Sequence, residues 1–227
     1  MSTNPATTAP ALVAEVPPRS WYERNVIDVA RDLLGCYITT VRDDGEVTIR
    51  LSEVEAYGGA DDPGSHAYRG RTTRNAAMFD EPGRLYVYRH MGLHHCINVV
   101  THPHGQASAV LLRAGEVVRG VELAQARREA AGTAGPHAQL ARGPARLAVC
   151  LALDLADNGA DVTGPGGPVQ LVRGTDPAVA LGAGPRVGVG GDGGDPGRYP
   201  WRWWLSDDPT VSAYRRAHTK PSPKRTR

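Results

Sequence analysis

A chain of 227 residues suits one domain or at most two, and its net charge of +2 is too small to mark it as a nucleic-acid binder by charge alone. Nearly all its positive charge is arginine; lysine occurs only at Lys220 and Lys224, which excludes a lysine nucleophile anywhere earlier in the chain. Three widely spaced cysteines, Cys36, Cys96 and Cys150, with no Cys-x-x-Cys, exclude a zinc ribbon and a disulfide frame and fit buried thiols in a reducing cytosol.

Residues 1–18, rich in Thr, Pro and Ala and without a period, predict a disordered leader. No apolar run is long enough to span a membrane and no signal-peptide pattern is present, so no membrane partner is expected. Trp21 to Leu34 predicts the first helix, capped by Ser20, with Val26, Ile27, Val29, Ala30, Leu33 and Leu34 on its apolar face. Cys36 to Val41 and Val47 to Ala56 predict a hairpin turning at Asp43-Asp44-Gly45-Glu46. Leu85 to Arg89 and His94 to Val100 predict a second hairpin, with Met91-Gly92 near its turn, and Ala109 to Arg113 a further strand. Val117 to Ala130 and Ala145 to Leu153 read as helices. The Gly- and Pro-rich segment 158–197 holds short strands at Val169–Arg173 and Arg186–Val189. Pro200 to Trp204 reads as a last strand whose tryptophans belong to the core, and the tail 217–227 is basic and disordered. No internal repeat is present.

The stretch from Ser52 to Arg113 carries the chemistry. Glu53 and Glu55 are two apart, so on a strand both point to one face, where glutamate is uncommon. Tyr86 and Tyr88 share a face for the same reason. Acid, His, Arg, Tyr and Asn on short strands and tight loops are the inventory of a polar pocket with aromatic walls. Arg69, Arg71 and Arg74 cluster beside Gly and Thr, either as a clamp on phosphates or as solvated loop charges. His90, His94, His95, His102 and His104 crowd a short region, but the local pattern is strand and turn, so solvated or cross-strand histidines are expected and no metal site.

The pieces Glu53-Val54-Glu55-Ala56-Tyr57, His66, Arg71-Thr72-Thr73-Arg74-Asn75 with Met78-Phe79, Leu85-Tyr86-Val87-Tyr88, Cys96-Ile97-Asn98, Leu111-Leu112-Arg113 and Arg186-Val187-Gly188-Val189 occur in order. In that order and spacing the chain resembles the alkyladenine (3-methyladenine) DNA glycosylase family of the mammalian type, from about Pro18 to Arg216. The resemblance implies a single α+β domain over 19–216, with a curved antiparallel sheet, flanking helices and a protruding β-hairpin. It implies a monofunctional enzyme, a monomer without cofactor, working in the cytoplasm at the nucleoid on double-stranded DNA with damaged purines. Glu55 would activate the water, with Arg113 and the Val187 backbone carbonyl helping to hold it and Arg113 favouring the charged form of Glu55. Tyr57, His66 and Tyr88 would sandwich a flipped base, Asn98 would crowd out the guanine 2-amino group, and Leu111 would lie nearby. Glu53 reads as the spare carboxylate. Where the mammalian-type family fills the emptied stack with a tyrosine, this chain has Met91, an apolar wedge of another shape.

Three other classes fit parts of the pattern. A nucleic-acid-binding module without catalysis needs Arg71 and Arg74 but not Glu55. A metal-dependent hydrolase needs the histidines. A hydrolase of free nucleosides needs the pocket without the arginines.

Overall fold

The computed structural model describes residues 15–132, 135–174 and 180–217, so the expected leader and tail lie almost wholly outside the described residues. Among the described residues, nine antiparallel strands form one sheet flanked by four short helices. These are α1 (Arg19–Tyr22), α2 (Val26–Asp32), β1 (Tyr37–Arg42), β2 (Gly45–Tyr57), β3 (Leu85–His90), β4 (His94–Val100), β5 (Ala109–Arg119), α3 (Val121–Ala130), β6 (Ala141–Arg142), α4 (Pro144–Cys150), β7 (Val169–Val172), β8 (Leu181–Gly184) and β9 (Arg202–Leu205). The main path runs β3-β4-β5-β2-β1-β7, with β6 on β5 and the β8–β9 pair on β2. The α+β class, the sheet and the flanking helices agree with the sequence reading.

β2 is the axis of the sheet. Its first half pairs with β1 and Glu53 to Glu55 of its second half pair with β9, while β5 runs along its other edge. Because both edges are occupied, β2 is buried almost throughout. The apolar face of α2 (Val26, Val29, Ala30) packs with α4 residues Leu147, Ala148 and Cys150 into the same core as Ile38, Ile49, Leu51 and Val54 of the sheet. All three cysteines are free and buried. Trp203 is buried and Trp201 packs against the core, as expected, whereas Trp204 is half-buried and lies outside that cluster.

Several element boundaries differ from the sequence reading, three of them markedly. The helix expected over Trp21 to Leu34 is two helices, because the Asn25 side chain accepts the Ile27 N–H and caps α2 afresh; Asn at such a position favours the cap over the helix interior. The helix expected from Val117 starts instead at Val121, and Val117 to Arg119 extends β5. Gly120 makes the switch with φ +71°, and a Cβ there would lie 2.1 Å from the Glu46 carbonyl oxygen. The strand expected at Arg186–Val189 is a turn with Gly188 at φ +72°; the strand lies just before it, as β8.

Gly120→Ala should therefore destabilise the protein by more than about 1 kcal/mol, since the left-handed backbone and the contact with β2 both exclude a side chain. Urea unfolding should show a lower midpoint with an unchanged slope.

Candidate active site

The register of the sheet lines up the site. Tyr86 lies opposite Asn98, Asn98 opposite Leu111, Leu111 opposite Glu55, and Glu55 opposite Arg202. One row therefore crosses β3, β4, β5, β2 and β9. Residues two along from this row share its face, which adds Tyr88, Tyr57 and Glu53. The pairing of β2 with β5 shifts register on both sides of Glu53, so Arg113 lies between Leu112 and Ala114 with no residue directly opposite. Such irregularities re-aim side chains, and Arg113 reaches both carboxylates.

A cavity of about 310 Å³ opens over this row. Its lining includes Glu55, Arg113, Val187, Tyr57, His66, Tyr88, Asn98 and Leu111. All eight residues singled out for catalysis and base binding thus share one cavity. Tyr86, Met78, Cys96, Pro144 and the hairpin residue His90 also line it and were not singled out as cavity residues.

Glu55 is fully buried. Its Oε1 accepts the Val187 N–H at 2.7 Å and lies 3.3 Å from a guanidinium nitrogen of Arg113, while its Oε2 accepts the Tyr57 hydroxyl at 2.8 Å. Two contacts add to the sequence reading. Val187 meets Glu55 through its N–H, and Tyr57 is a hydrogen-bond donor to Glu55 as well as a ring in the wall. Burial, then the neighbouring Glu55, drive the Tyr57 pKa well up, so its hydroxyl stays a donor.

Glu53 is not a spare carboxylate. It is fully buried and accepts from Arg113 Nε at 2.8 Å, Arg202 Nε at 2.7 Å, and the Ser212 N–H and hydroxyl at 2.8 and 2.9 Å. Burial by itself would raise its pKa; Arg113, Arg202 and the Ser212 donors outweigh that and hold it below the usual carboxylate range. Alternation along β2 put Glu53 on the face of Glu55, but its partners come from β5, β9 and the C-terminal segment, which no local pattern in the sequence joins.

The aromatic wall is a stack. Tyr86 and Tyr88 rings lie 5.5 Å apart at 28°, and the His66 ring meets Tyr88 edge-on at 4.5 Å. His66 Nδ1 pairs with the Tyr86 hydroxyl at 2.9 Å. Desolvation among these rings, then Arg74 and His90, lowers the His66 pKa below the usual histidine value, which favours the neutral ring at pH 7. Burial pushes the Tyr86 hydroxyl up to about 12. Asn98 donates Nδ2 to the Tyr86 carbonyl oxygen at 2.9 Å, which fixes its amide in place.

Two loops close the cavity and share one anchor. Arg186, 1% exposed, forms a double ion pair with Asp62 at 2.6 and 2.7 Å and donates to the carbonyls of Ala56 and Gly193. Its guanidinium also lies 4.6 Å from the Tyr57 ring centre. This pair joins the loop after β2 to the loop that carries Val187. It was not singled out as a site feature, since the 124 residues between the partners hide the contact.

Outside the cavity, Met91 and Leu93 stand at the tip of the β3–β4 hairpin, 81% and 77% exposed. The tip is Met91-Gly92-Leu93, closed by the His90–His94 pair, and Met91 itself adopts φ +49°. A non-glycine residue in that region is strained. Arg71 and Arg74 are exposed; Arg71 lies over the Phe79 ring, and the Arg74 guanidinium lies 5.6 Å from the Tyr88 ring centre. Buried Asn75 holds their loop by donating to the carbonyls of His66 and Gly70. His90 and His94 are an exposed cross-strand pair, and His102 Nε2 accepts the Val26 N–H. Among the described residues, no group of three or more His, Cys, Asp or Glu is arranged to hold a metal ion, and no helix is long and apolar enough to cross a membrane.

Asp62→Asn should cost roughly 3–5 kcal/mol, because it leaves Arg186 buried without its counter-charge. Thermal or urea unfolding checks this, and a loss below about 1 kcal/mol would show that the pair does not anchor the loops.

Comparisons with known proteins identify the family. A family model, methylpurine-DNA glycosylase, matches residues 20–209. Relatives bearing the name "Putative 3-methyladenine DNA glycosylase" include one from Streptomyces avermitilis, 52% identical over 92% of this chain and 95% of its own. Another, from Leifsonia xyli, is 49% identical over 88% of this chain and 93% of its own. A third, from Mycobacterium tuberculosis, is 46% identical over 78% of this chain and 85% of its own. With the family model matching most of its length and relatives about half identical to it, the chain, whose sheet brings Glu55, Arg113 and the aromatic wall to one cavity, belongs to the methylpurine-DNA glycosylase family.

Proposed function

We propose that this DNA glycosylase flips alkylated or deaminated purines, such as 3-methyladenine and hypoxanthine, out of double-stranded DNA and hydrolyses their glycosidic bond. The single observation that carries this reading is the buried Glu55 carboxylate at the end of a cavity walled by tyrosine and histidine rings. A base must leave the stack for its glycosidic bond to be reached, as holds for DNA glycosylases as a class. A flipped purine lies between Tyr57 on one side and His66 and Tyr88 on the other, with its edge towards Asn98 and Leu111. An electron-poor or cationic base gains from those rings, and a neutral His66 adds no opposing charge.

The reaction needs little beyond what lines the cavity. A carboxylate offers about four acceptor positions. Val187 and Tyr57 take one on each oxygen of Glu55, which leaves capacity for a water. Glu55 takes the proton of that water as its oxygen bonds to C1′. The C1′–N bond breaks, its electron pair leaves with the base, and an abasic site remains. Arg113 offsets the charge of Glu55 at 3.3 Å. With lysine confined to Lys220 and Lys224, a covalent amine intermediate within the domain has no donor, and the enzyme is monofunctional. Selectivity comes from shape. The fixed Asn98 amide has no room to move away from a guanine 2-amino group.

Met91 fills the gap left by the flipped nucleotide, and exposed Leu93 stands beside it. Arg71 and Arg74 hold phosphates on the same side of the cavity as His66 and Tyr88. The enzyme acts as a monomer without cofactor, in the cytoplasm at the nucleoid.

Incubation with a lesion-containing duplex in EDTA should release free base. Glu55→Gln should keep damaged-DNA binding while single-turnover release falls about 10²–10⁴-fold; undiminished release would end the assignment of Glu55.

Met91→Ala should leave stability within about 0.5 kcal/mol of wild type, as for an exposed side chain. It should slow release from duplex far more than from single strands, because only the duplex has a stack to fill. Equal slowing on both substrates would pass the wedge to Leu93.

A further inference from the structure

The buried charges behind Glu55 have an arrangement that the excision reaction by itself does not require. Arg113 divides its three nitrogens among three partners. Nε donates to Glu53 at 2.8 Å, one terminal nitrogen donates to the Ser212 hydroxyl at 3.3 Å, and the other lies 3.3 Å from Glu55. Its closest bond is thus to Glu53, not to the carboxylate that faces the cavity. Glu53 is held in turn by Arg202, whose other end donates to the Ser212 carbonyl oxygen at 2.7 Å. Ser212 lies beyond residue 209, where the family match ends. Its segment is fixed to the body of the protein by Arg142, which donates to the Val211 carbonyl, and by Thr210, whose hydroxyl pairs with Ser52.

An arginine facing a lone carboxylate in a buried site closes a two-bonded fork on it. On Glu55 such a fork would occupy the acceptor positions that a water needs. We propose that Glu53 and Ser212 are positioning residues that turn Arg113 away from this fork, so that Glu55 keeps an acceptor position open for the attacking water. The proposal rests on Glu55 being the base. Glu53 supplies the competing carboxylate, and Ser212 holds the second terminal nitrogen.

The test uses the full chain and a lesion-containing duplex, with single-turnover base release, duplex binding and thermal midpoint measured on each variant. E53Q should slow release by about 10–10²-fold, the scale on which a misplacement near 1 Å acts, with binding unchanged. S212A, which keeps its backbone N–H, should show a smaller loss that S212T restores. A residue that acts through Arg113 has nothing left to position once Arg113 is gone. E53Q should therefore slow the R113Q enzyme by less than about twofold, since effects along one chain of contacts do not add. Wild-type release by E53Q, or E53Q and R113Q losses that multiply, would overturn the proposal while leaving Glu55 as base. If E53Q does not fold, S212A and S212T decide: equal release by S212A and wild type would overturn it. Absence of base release by the wild-type protein would instead remove the glycosylase reading, and this proposal with it.

Discussion

Glu53 and Glu55 have no exposed surface, although they stand in the second half of the longest strand. A buried charge without partners costs several kcal/mol, and in practice such groups persist only when paired and hydrogen-bonded. The fold around them answers that constraint. β5 supplies Arg113, β9 supplies Arg202, the segment after β9 supplies Ser212, and the loop after β8 supplies the Val187 N–H. Counted as charges, two carboxylates face two guanidinium groups, so the cluster is neutral as a whole. Each element that meets β2 near these residues brings a donor to it. This explains why β9, a four-residue strand far along the chain, is fastened to the second half of β2 and not to a free edge.

The same logic recurs with Arg186 and Asp62, which are also buried. Here the pair joins two loops, and three rings surround the cation: Tyr57 at 4.6 Å, Tyr199 at 5.3 Å and Trp201 at 5.6 Å. Tyr57 thus bridges the two charge clusters, with its hydroxyl on Glu55 and its ring on Arg186. Buried ion pairs add little net stability compared with apolar packing. Their use here is placement: a sheet with a defined register fixes one wall of the cavity, and the Arg186 anchor fixes the loops opposite. The strained hairpin tip is free of both clusters, and its exposed apolar residues have no packing reason for their position.

The sequence by itself determined the hairpins, the strand carrying Glu55, and eight of the residues that line the cavity. Strand periodicity is local, and a family resemblance adds which positions converge. It also placed Met91 at a hairpin tip, because Gly92 between two alternating runs marks a turn. It could not decide the boundaries at Asn25 and Gly120, where one capping side chain and one close backbone approach override the apolar and helical patterns around them. Nor could it give Glu53 its role. From Glu53 alone, a surface carboxylate and a buried hub are identical. Only the pairing of β2 with β5 and β9, and the return of Ser212 across 159 residues, makes the difference. Contacts of that kind are set by which strands the core brings side by side, and a charge records nothing in its own neighbourhood about the partner that will neutralise it.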